Sequence, residues 1–492
     1  MLMVLSHPKY NPRQTHLALD HRFYRPVTAA KFPFHQPRYR NLDAAASIGL
    51  AELDLPDWAR HFAAFVPLKG TLPEPLALCY HGHQFGHYNP ELGDGRGFLF
   101  AQFCDNSGRL MDLGTKGSGT TPFSRTADGR LTLKGAVREI LATEMLEALG
   151  VATSRSFAVF ETGEALVRND EPSPTRSAVL VRLSHGHIRI GSFQRLAYMD
   201  DADAIECLAR HVARYYYADN CDSAGLDADA PLTELLPDLL ERVLLAIAKT
   251  VGEWLAAGFV HGVLNTDNFN ITGESFDYGP WRFLPVFDPG LTAAYFDQTG
   301  RYAYGRQSDA ALWSVCRLAD CFLKLVDKEK LEERLPAFYP AVETSLARQI
   351  CWRFGISFET VDTERDAALA RAFFVAAKES KYRFDQIFHD LYGGAPRVDG
   401  YGDEIWRPVL DLLAAARPAR KDALSHPHFA AGKAVSMTID EVEAIWSPIA
   451  IDDDWSLLEA KIAQIRQMRA ALSGDAPSIL PEITGGPASP NS

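Results

Sequence analysis

Cysteine is sparse and unpatterned in this chain. Seven occur in 492 residues, at Cys79, Cys104, Cys207, Cys221, Cys316, Cys321 and Cys351, an odd number with no CxxC pair. That scatter argues against a disulfide framework or a zinc site and fits reduced thiols in a cytoplasmic protein. The chain also lacks any run of about 18 uncharged apolar residues, so no spanning helix is expected. Its first residues, MLMVLSHPKYNPRQ, have neither the basic start nor the long apolar stretch of a signal peptide. An excess of basic residues is missing too. A net charge of −13 makes a general nucleic-acid or anionic-membrane surface unexpected, while leaving room for a local basic pocket. No internal repeat is visible. Apolar residues are plentiful at 47%, ample for a substantial core, and the length suits two to four domains or one large bilobal enzyme.

The stretch that organises the chain is His261 to Pro280, HGVLNTDNFNITGESFDYGP. It gathers two carboxylates and one amide, Asp267, Asn268 and Asp277, within eleven residues. They are expected at the ends of adjacent short strands, where such a set suits a hard cation shared with phosphate oxygens. The protein-kinase pattern H-R-D-L-x-x-x-N aligns with His261 to Asn268, and DFG aligns with Asp277-Tyr278-Gly279. His, Leu and Asn are kept. The usual catalytic Asp is replaced by Val263, which cannot accept a proton, so Asp267 is the nearby carboxylate able to take over.

Upstream lies a glycine-rich turn, Gly93-Asp-Gly95-Arg96-Gly97, before the apolar strand Phe98–Phe103. Glycines between strands let backbone N–H groups approach phosphate, and Arg96 adds a fixed cation. The same spacing also describes an ordinary hairpin turn. Histidines 81, 83 and 87 just before it invite a zinc reading, but no acidic or fourth ligand sits at site-like spacing. After an Asn106-Ser-Gly turn, the strand Leu110–Lys116 ends on a lysine. A polar loop leads to a helix over Lys134–Leu149, stopped by Gly150, with Val137, Leu141, Met145 and Ala148 on its apolar face. Glu139 on that helix is either a surface residue or the partner of Lys116, the kinase device for holding a lysine against phosphate. Arg182 and Arg189 flank a connector that reads as a hinge; they are phosphate contacts or an exposed basic edge. From Asp201 the chain reads as helical, with a long helix over about Asp238–Ala257.

Five blocks, GHQFGHYNPELGDGRG, LGTKGSGTTPFSRTADGR, VREILATEM, VRLSHGHIRIGSF and HGVLNTDN…DYGP, in this order and spacing, resemble the selenoprotein O family (SelO, called YdiU in bacteria) over roughly residues 20 to 320. The resemblance implies an α+β, bilobal protein-kinase-like fold with a β-rich N-lobe and a helical C-lobe. The divisions expected are an N-terminal extension (1–75), the N-lobe (76–195), the C-lobe (196–472) and a disordered tail (473–492). It implies transfer of AMP from ATP, bound flipped relative to ordinary kinases, to Ser, Thr or Tyr hydroxyls of proteins, and also uridylylation from UTP with manganese. Carried over by motif, Gly93, Gly95 and Arg96 look like phosphate-loop contacts, Lys116 the strand lysine and Glu139 its partner. Asp128-Gly129, Arg182 and Arg189 look like further nucleotide contacts. Asp267 looks like the proton acceptor, and Asn268 and Asp277 the holders of Mg²⁺ or Mn²⁺. A monomer is expected. Many family members carry Cys or selenocysteine near the end; this chain does not, which speaks against that redox switch. A flipped nucleotide needs extra cations, and Arg96, Arg125, Arg130, Arg182 and Arg189 supply them. The rival readings are an ordinary γ-phosphate kinase, which Val263 disfavours, and a nucleotide-binding pseudokinase scaffold.

Overall fold

The computed structural model describes residues 9–221, 225–357, 362–420, 422–474 and 480–485. The architecture is mixed α and β. Apart from two-residue strands, strands lie before residue 185 and helices dominate after 190. Leu99–Cys104 and Leu110–Lys116 are buried at every position, which accounts for their near-continuous apolar sequence. They pair antiparallel across the Asn106-Ser-Gly turn. The Asp105 carboxylate closes that turn by accepting from the backbone N–H groups of Ser107 and Arg109, each at 2.9 Å.

Among the described residues, one sheet follows the order Glu482–Ile483, Gln36–Arg40, Arg155–Leu166, Thr175–Ser184, Leu110–Lys116, Leu99–Cys104, Leu76–Leu78, Tyr24–Pro26. Pro12–Arg13 and Leu131–Thr132 pair off this path. Two expectations change here. The stretch expected as an N-terminal extension contributes to the sheet, because Pro12–Arg13, Tyr24–Pro26 and Gln36–Arg40 hydrogen-bond into it. The tail read as disordered supplies Glu482–Ile483, paired with Arg40 and Tyr39. It covers an edge whose N–H and C=O groups would otherwise lack strand partners. Residues 475–479 and 486–492 of that tail lie outside the described residues.

The cysteine reading also changes. Cys104, at a strand end, is disulfide-bonded to Cys221 across a sequence separation of 117 residues. Such a separation leaves no local signature, so the pairing was not visible in the spacing. The Cys221 N–H also donates to the Gly108 carbonyl at 2.6 Å. The other five cysteines are free.

The Leu133–Ala148 helix packs on the sheet. Thr132 caps it, its hydroxyl accepting from the Gly135 N–H at 3.1 Å. The Ser456–Ser473 helix returns against its other side, where buried Arg466 meets Glu144 at 2.6 Å. The long helix begins at Leu232, earlier than expected, and ends at Gly258, whose φ of +70° suits glycine. It delivers Phe259–Val260, which pairs with Arg282–Phe283. The organising motif is therefore the loop closed by this two-stranded ladder. No helix among the described residues is long and apolar enough to cross a membrane.

Candidate active site

A cavity of about 340 Å³ opens where the glycine-rich turn, the end of the Leu110–Lys116 strand and the Asp277 loop meet. Gly93, Gly95, Arg96, Lys116, Arg182, Arg189 and Asp277 all line it, drawn together from 185 residues of chain. The turn is pressed hard onto the strand. A Cβ at Gly97 would lie 2.1 Å from the Thr115 carbonyl oxygen, so only glycine fits. The Arg96 carbonyl accepts from the Gly117 N–H at 2.7 Å, fastening the turn beside Lys116.

Lys116 is buried and its Nζ donates to Glu139, which is buried on its helix and not a surface residue. The same Nζ reaches Asp277 Oδ1 at 2.8 Å. Arg182 approaches that oxygen at 3.3 Å, and Arg189 lies 3.8 Å from Oδ2. Burial alone would push the Asp277 carboxyl up. Lys116, Arg182, Arg189 and Arg96 outweigh it and hold the group well below the usual carboxylate range. Asp277 has φ +63°, an uncommon conformation that Asp tolerates better than most residues.

Arg182 and Arg189 are not an exposed edge. Both are nearly fully buried, and the Nε–H of each has no partner among the described residues. Both guanidinium groups stack on Phe276, and Arg189 also lies 4.2 Å over the Tyr80 ring. Their connector is buried as well, with Ser184 and His187 inside. Desolvated cations with unsatisfied donors beside a cavity are costly unless an anion completes them, which phosphate does.

Asp267 and Asn268 arise differently from the expectation. They sit in a one-turn 3-10 helix, Thr266–Asn268, between strands and not at strand ends. Asp267 Oδ1 is buried with no hydrogen-bond partner among the described residues. Burial pushes this carboxyl up to about 6, with Arg189 opposing. The backbone carbonyl of Asp267 accepts from Arg189 at 3.0 Å. Asn268 commits its Nδ2 to the Val263 carbonyl at 2.9 Å, which leaves its oxygen as the coordinating end.

Not every predicted contact is brought in. Asp128 is held by Arg168 at 2.8 Å, outside the cavity lining. Gly129 is a packing glycine, φ +69°, whose Cβ would meet the Gly119 backbone at 2.3 Å. Arg130 is paired with Glu164 at 2.7 Å, whereas Arg125 does line the cavity. The sequence reading passed over Asp94, Tyr80 and Phe276. Asp94 is partly buried and pairs with Arg189 at 3.2 Å; desolvation raises its carboxyl while Arg189 pulls the other way. Its signal was an acidic residue inside a turn otherwise suited to anions.

Two carboxylates and an amide oxygen match the ligand preference of Mg²⁺ or Mn²⁺. Among the described residues no three His, Cys, Asp or Glu side chains converge as a metal cluster. A cation here would therefore take few protein ligands and rely on water and phosphate oxygens, which is usual for Mg²⁺ at nucleotide sites. Asp277 lines the cavity while Asp267 and Asn268 lie outside its lining, and the uncommitted Asn268 amide oxygen in the same loop as Asp277 is the observation that fits a cation.

Comparison with known proteins identifies the family. Residues 5–396 match the family model described as protein adenylyltransferase SelO. The chain is 40% identical over 456 residues to a protein of Synechocystis sp. named protein nucleotidyltransferase YdiU, covering 89% of this chain and 94% of that one. A protein of the same name from Gloeobacter violaceus is 39% identical, covering 93% and 95%. Another, from Trichodesmium erythraeum, is 47% identical over 322 residues, covering 65% and 67%. With the family model matched over residues 5–396 and relatives about 40% identical across most of its length, this chain belongs to the SelO family of protein adenylyltransferases.

Proposed function

We propose that this protein transfers AMP from ATP to the hydroxyl of Ser, Thr or Tyr side chains in proteins, releasing pyrophosphate, with UMP from UTP as a second donor. The scaffold is a bilobal kinase-like one acting as a monomer in the cytoplasm, where the Cys104–Cys221 disulfide would be open to reduction. The observation that carries the reading is the pair Arg182 and Arg189, buried, with unpartnered Nε–H groups, beside Asp277 and Lys116. Four arginines and a lysine line one cavity, more cation than a γ-phosphate kinase needs and enough for a triphosphate lying in the reverse direction.

In this reading the acceptor hydroxyl oxygen attacks the α-phosphorus, the bond from that phosphorus to the bridging α–β oxygen breaks, and pyrophosphate leaves with the electron pair. The hydroxyl proton passes to the Asp267 carboxylate. A carboxyl pushed up to about 6 is a better base than an ordinary aspartate and is still ionised at neutral pH. Lys116 and the arginines hold the phosphates in line and offset the charge that develops, so most of the barrier reduction is positioning and electrostatics. Asp277 and Asn268 are the residues that would hold Mg²⁺ or Mn²⁺, with Asp267 nearby; the ion supplies Lewis-acid neutralisation of phosphate charge. Glu139 keeps Lys116 extended toward the cavity.

The test is intact-protein mass spectrometry after incubation with ATP and Mg²⁺ or Mn²⁺, in the presence of a mixed protein acceptor. Wild type is compared with Asp277→Ala. A mass gain of one AMP moiety that the variant loses, by a factor of about 10² or more, is expected. A gain of one phosphate would replace this reading with a γ-phosphate kinase. No gain on self or acceptor would leave the scaffold reading in its place.

A further inference from the structure

The hairpin Gly82–Asn89 belongs to the histidine-rich stretch for which nucleotide binding has little use. Its two strands, Gly82–Gln84 and His87–Asn89, form a separate small sheet. That hairpin lies against the Thr266–Asn268 turn. The His83 N–H donates to Thr266 Oγ1 at 2.7 Å, and the Phe85 N–H donates to Asn265 Oδ1 at 3.1 Å. A Cβ at Gly82 would come within 2.9 Å of Asp267 Oδ1, so the hairpin backbone abuts the candidate base directly.

Gln194, buried on the Ile190–Tyr198 helix, completes the arrangement. Thr266 Oγ1 donates to Gln194 Oε1 at 2.5 Å, and Gln194 Nε2 lies 2.8 Å from His83 Nδ1. With the Gln194 amide oriented as it stands, the donor inventory sets the directions. A backbone N–H only donates, so the Thr266 hydroxyl accepts from His83 and spends its own proton on the Gln194 oxygen. The Gln194 amide then donates to a His83 Nδ1 that carries no proton. The three residues close a ring of three hydrogen bonds in one sense around the catalytic turn. No residue in it faces the nucleotide cavity.

We infer that the His83–Thr266–Gln194 ring is a positioning device that sets the Asp267 carboxylate for the acceptor hydroxyl. This rests on the proposed transfer reaction and adds residues to it. Helix Ile190–Tyr198 follows directly on Arg189, so the ring also ties the candidate base to the arginine that binds its backbone carbonyl. Phosphate grip and base position are thereby set by one rigid block. Displacing a reacting group by about 1 Å typically costs about 10²-fold in rate, which is the scale a loosened ring would reach.

The experiment measures AMP-transfer kinetics for wild type, Thr266→Val, Thr266→Ser and Gln194→Met, with affinity for α,β-methylene-ATP determined separately by calorimetry. Thr266→Val keeps the shape and deletes the hydroxyl; it is expected to lower kcat by about 10- to 100-fold. Its KM for ATP and its affinity for the analogue should stay near wild type. Thr266→Ser, which restores the hydroxyl, should recover most of the loss, and Gln194→Met should resemble Thr266→Val. If Thr266→Val does not fold, Gln194→Met carries the comparison, since it leaves the turn sequence intact. Wild-type kcat in the variants, or a Ser variant no better than Val, would overturn the ring's role. A loss that appears in ATP affinity instead of kcat would do the same. Should wild type itself transfer no AMP, the underlying function fails and this inference falls with it.

Discussion

Asp267 and Asp277 are two aspartates ten positions apart in one loop with opposite electrostatics. Asp277 is wrapped by Lys116, Arg182 and Arg189 and stays ionised far into acid. Asp267 has a buried oxygen that nothing satisfies and a carboxyl pushed up to about 6. Environments that separate two like groups in this way commonly separate their roles. Asp267→Asn preserves size and removes the proton acceptor. It is expected to lower kcat for AMP transfer by about 10²- to 10⁴-fold while leaving nucleotide affinity nearly unchanged, read from initial rates and calorimetry. At this scale the sequence was legible wherever a residue type is unusual for its surroundings. A Val in the base position and a lysine ending an apolar strand both stood out. Tyr80 and Phe276 did not, because a lone aromatic in a loop is ordinary until an arginine distant in sequence is stacked upon it.

Among the elements, the glycine-rich turn was readable as a phosphate loop or as a plain hairpin, and the structure shows what the glycines do mechanically. Gly97 lets the turn close onto the Thr115 carbonyl. That carbonyl belongs to a strand anchored on both sides, with Thr115 N–H donating to the Phe98 carbonyl and Thr115 paired with Val181. Backbone so fixed cannot move aside for a methyl group. Gly97→Ala is therefore expected to cost about 1–3 kcal/mol of stability by overpacking and to weaken nucleotide binding, because Arg96 moves with the turn. Gly402→Ala is the control: nothing lies within 4 Å of its added Cβ, and neither stability nor binding should change. Chemical denaturation and an ATP-analogue titration check both. Helices were recognised from periodicity, with boundaries shifted by local detail. The Leu232 start precedes the expectation because Leu235 and Leu236 extend the buried face past Pro237. Strand partners were the illegible part. Gln36–Arg40 and Glu482–Ile483 pair across more than 440 residues, and two-residue strands carry no period.

For the whole molecule, the feature no local pattern announces is a fully buried polar cluster joining the first residues to the sheet and the helices. Gln102 Oε1 accepts from the His16 N–H at 3.0 Å, Gln102 Nε2 donates to Asp112 at 2.8 Å, and Tyr216 donates to Asp112 at 3.0 Å. His187 stands 3.7 Å from the same carboxylate, and the His211 ring lies 5.4 Å from that of His16. Burial lowers His16 and His187 despite Asp112, and it lowers His211 well below the ordinary histidine range, with His16 adding to the effect. The sign follows from proton counting. Below pH about 6.5 the unfolded chain takes up protons that the folded histidines refuse, so stability is full above that pH and declines as pH falls toward their folded values. Each refusing histidine removes up to about 1.4 kcal/mol per pH unit in that window. Asp112, held below its usual value by His187, His16 and Gln102 against the opposing effect of burial, shifts stability in the same direction at lower pH. Asp94 and Asp267, pushed up by burial, act oppositely, favouring the fold until pH rises through their raised values. The comparison that isolates the histidine contribution is wild type against His211→Phe, because His211 Nε2 has no partner to lose among the described residues. The thermal midpoint of wild type should fall between pH 7.5 and 5.5, and that of His211→Phe should fall less over the same interval. Equal slopes would mean that His211 is protonated in the folded protein and that its burial is not what limits stability in acid.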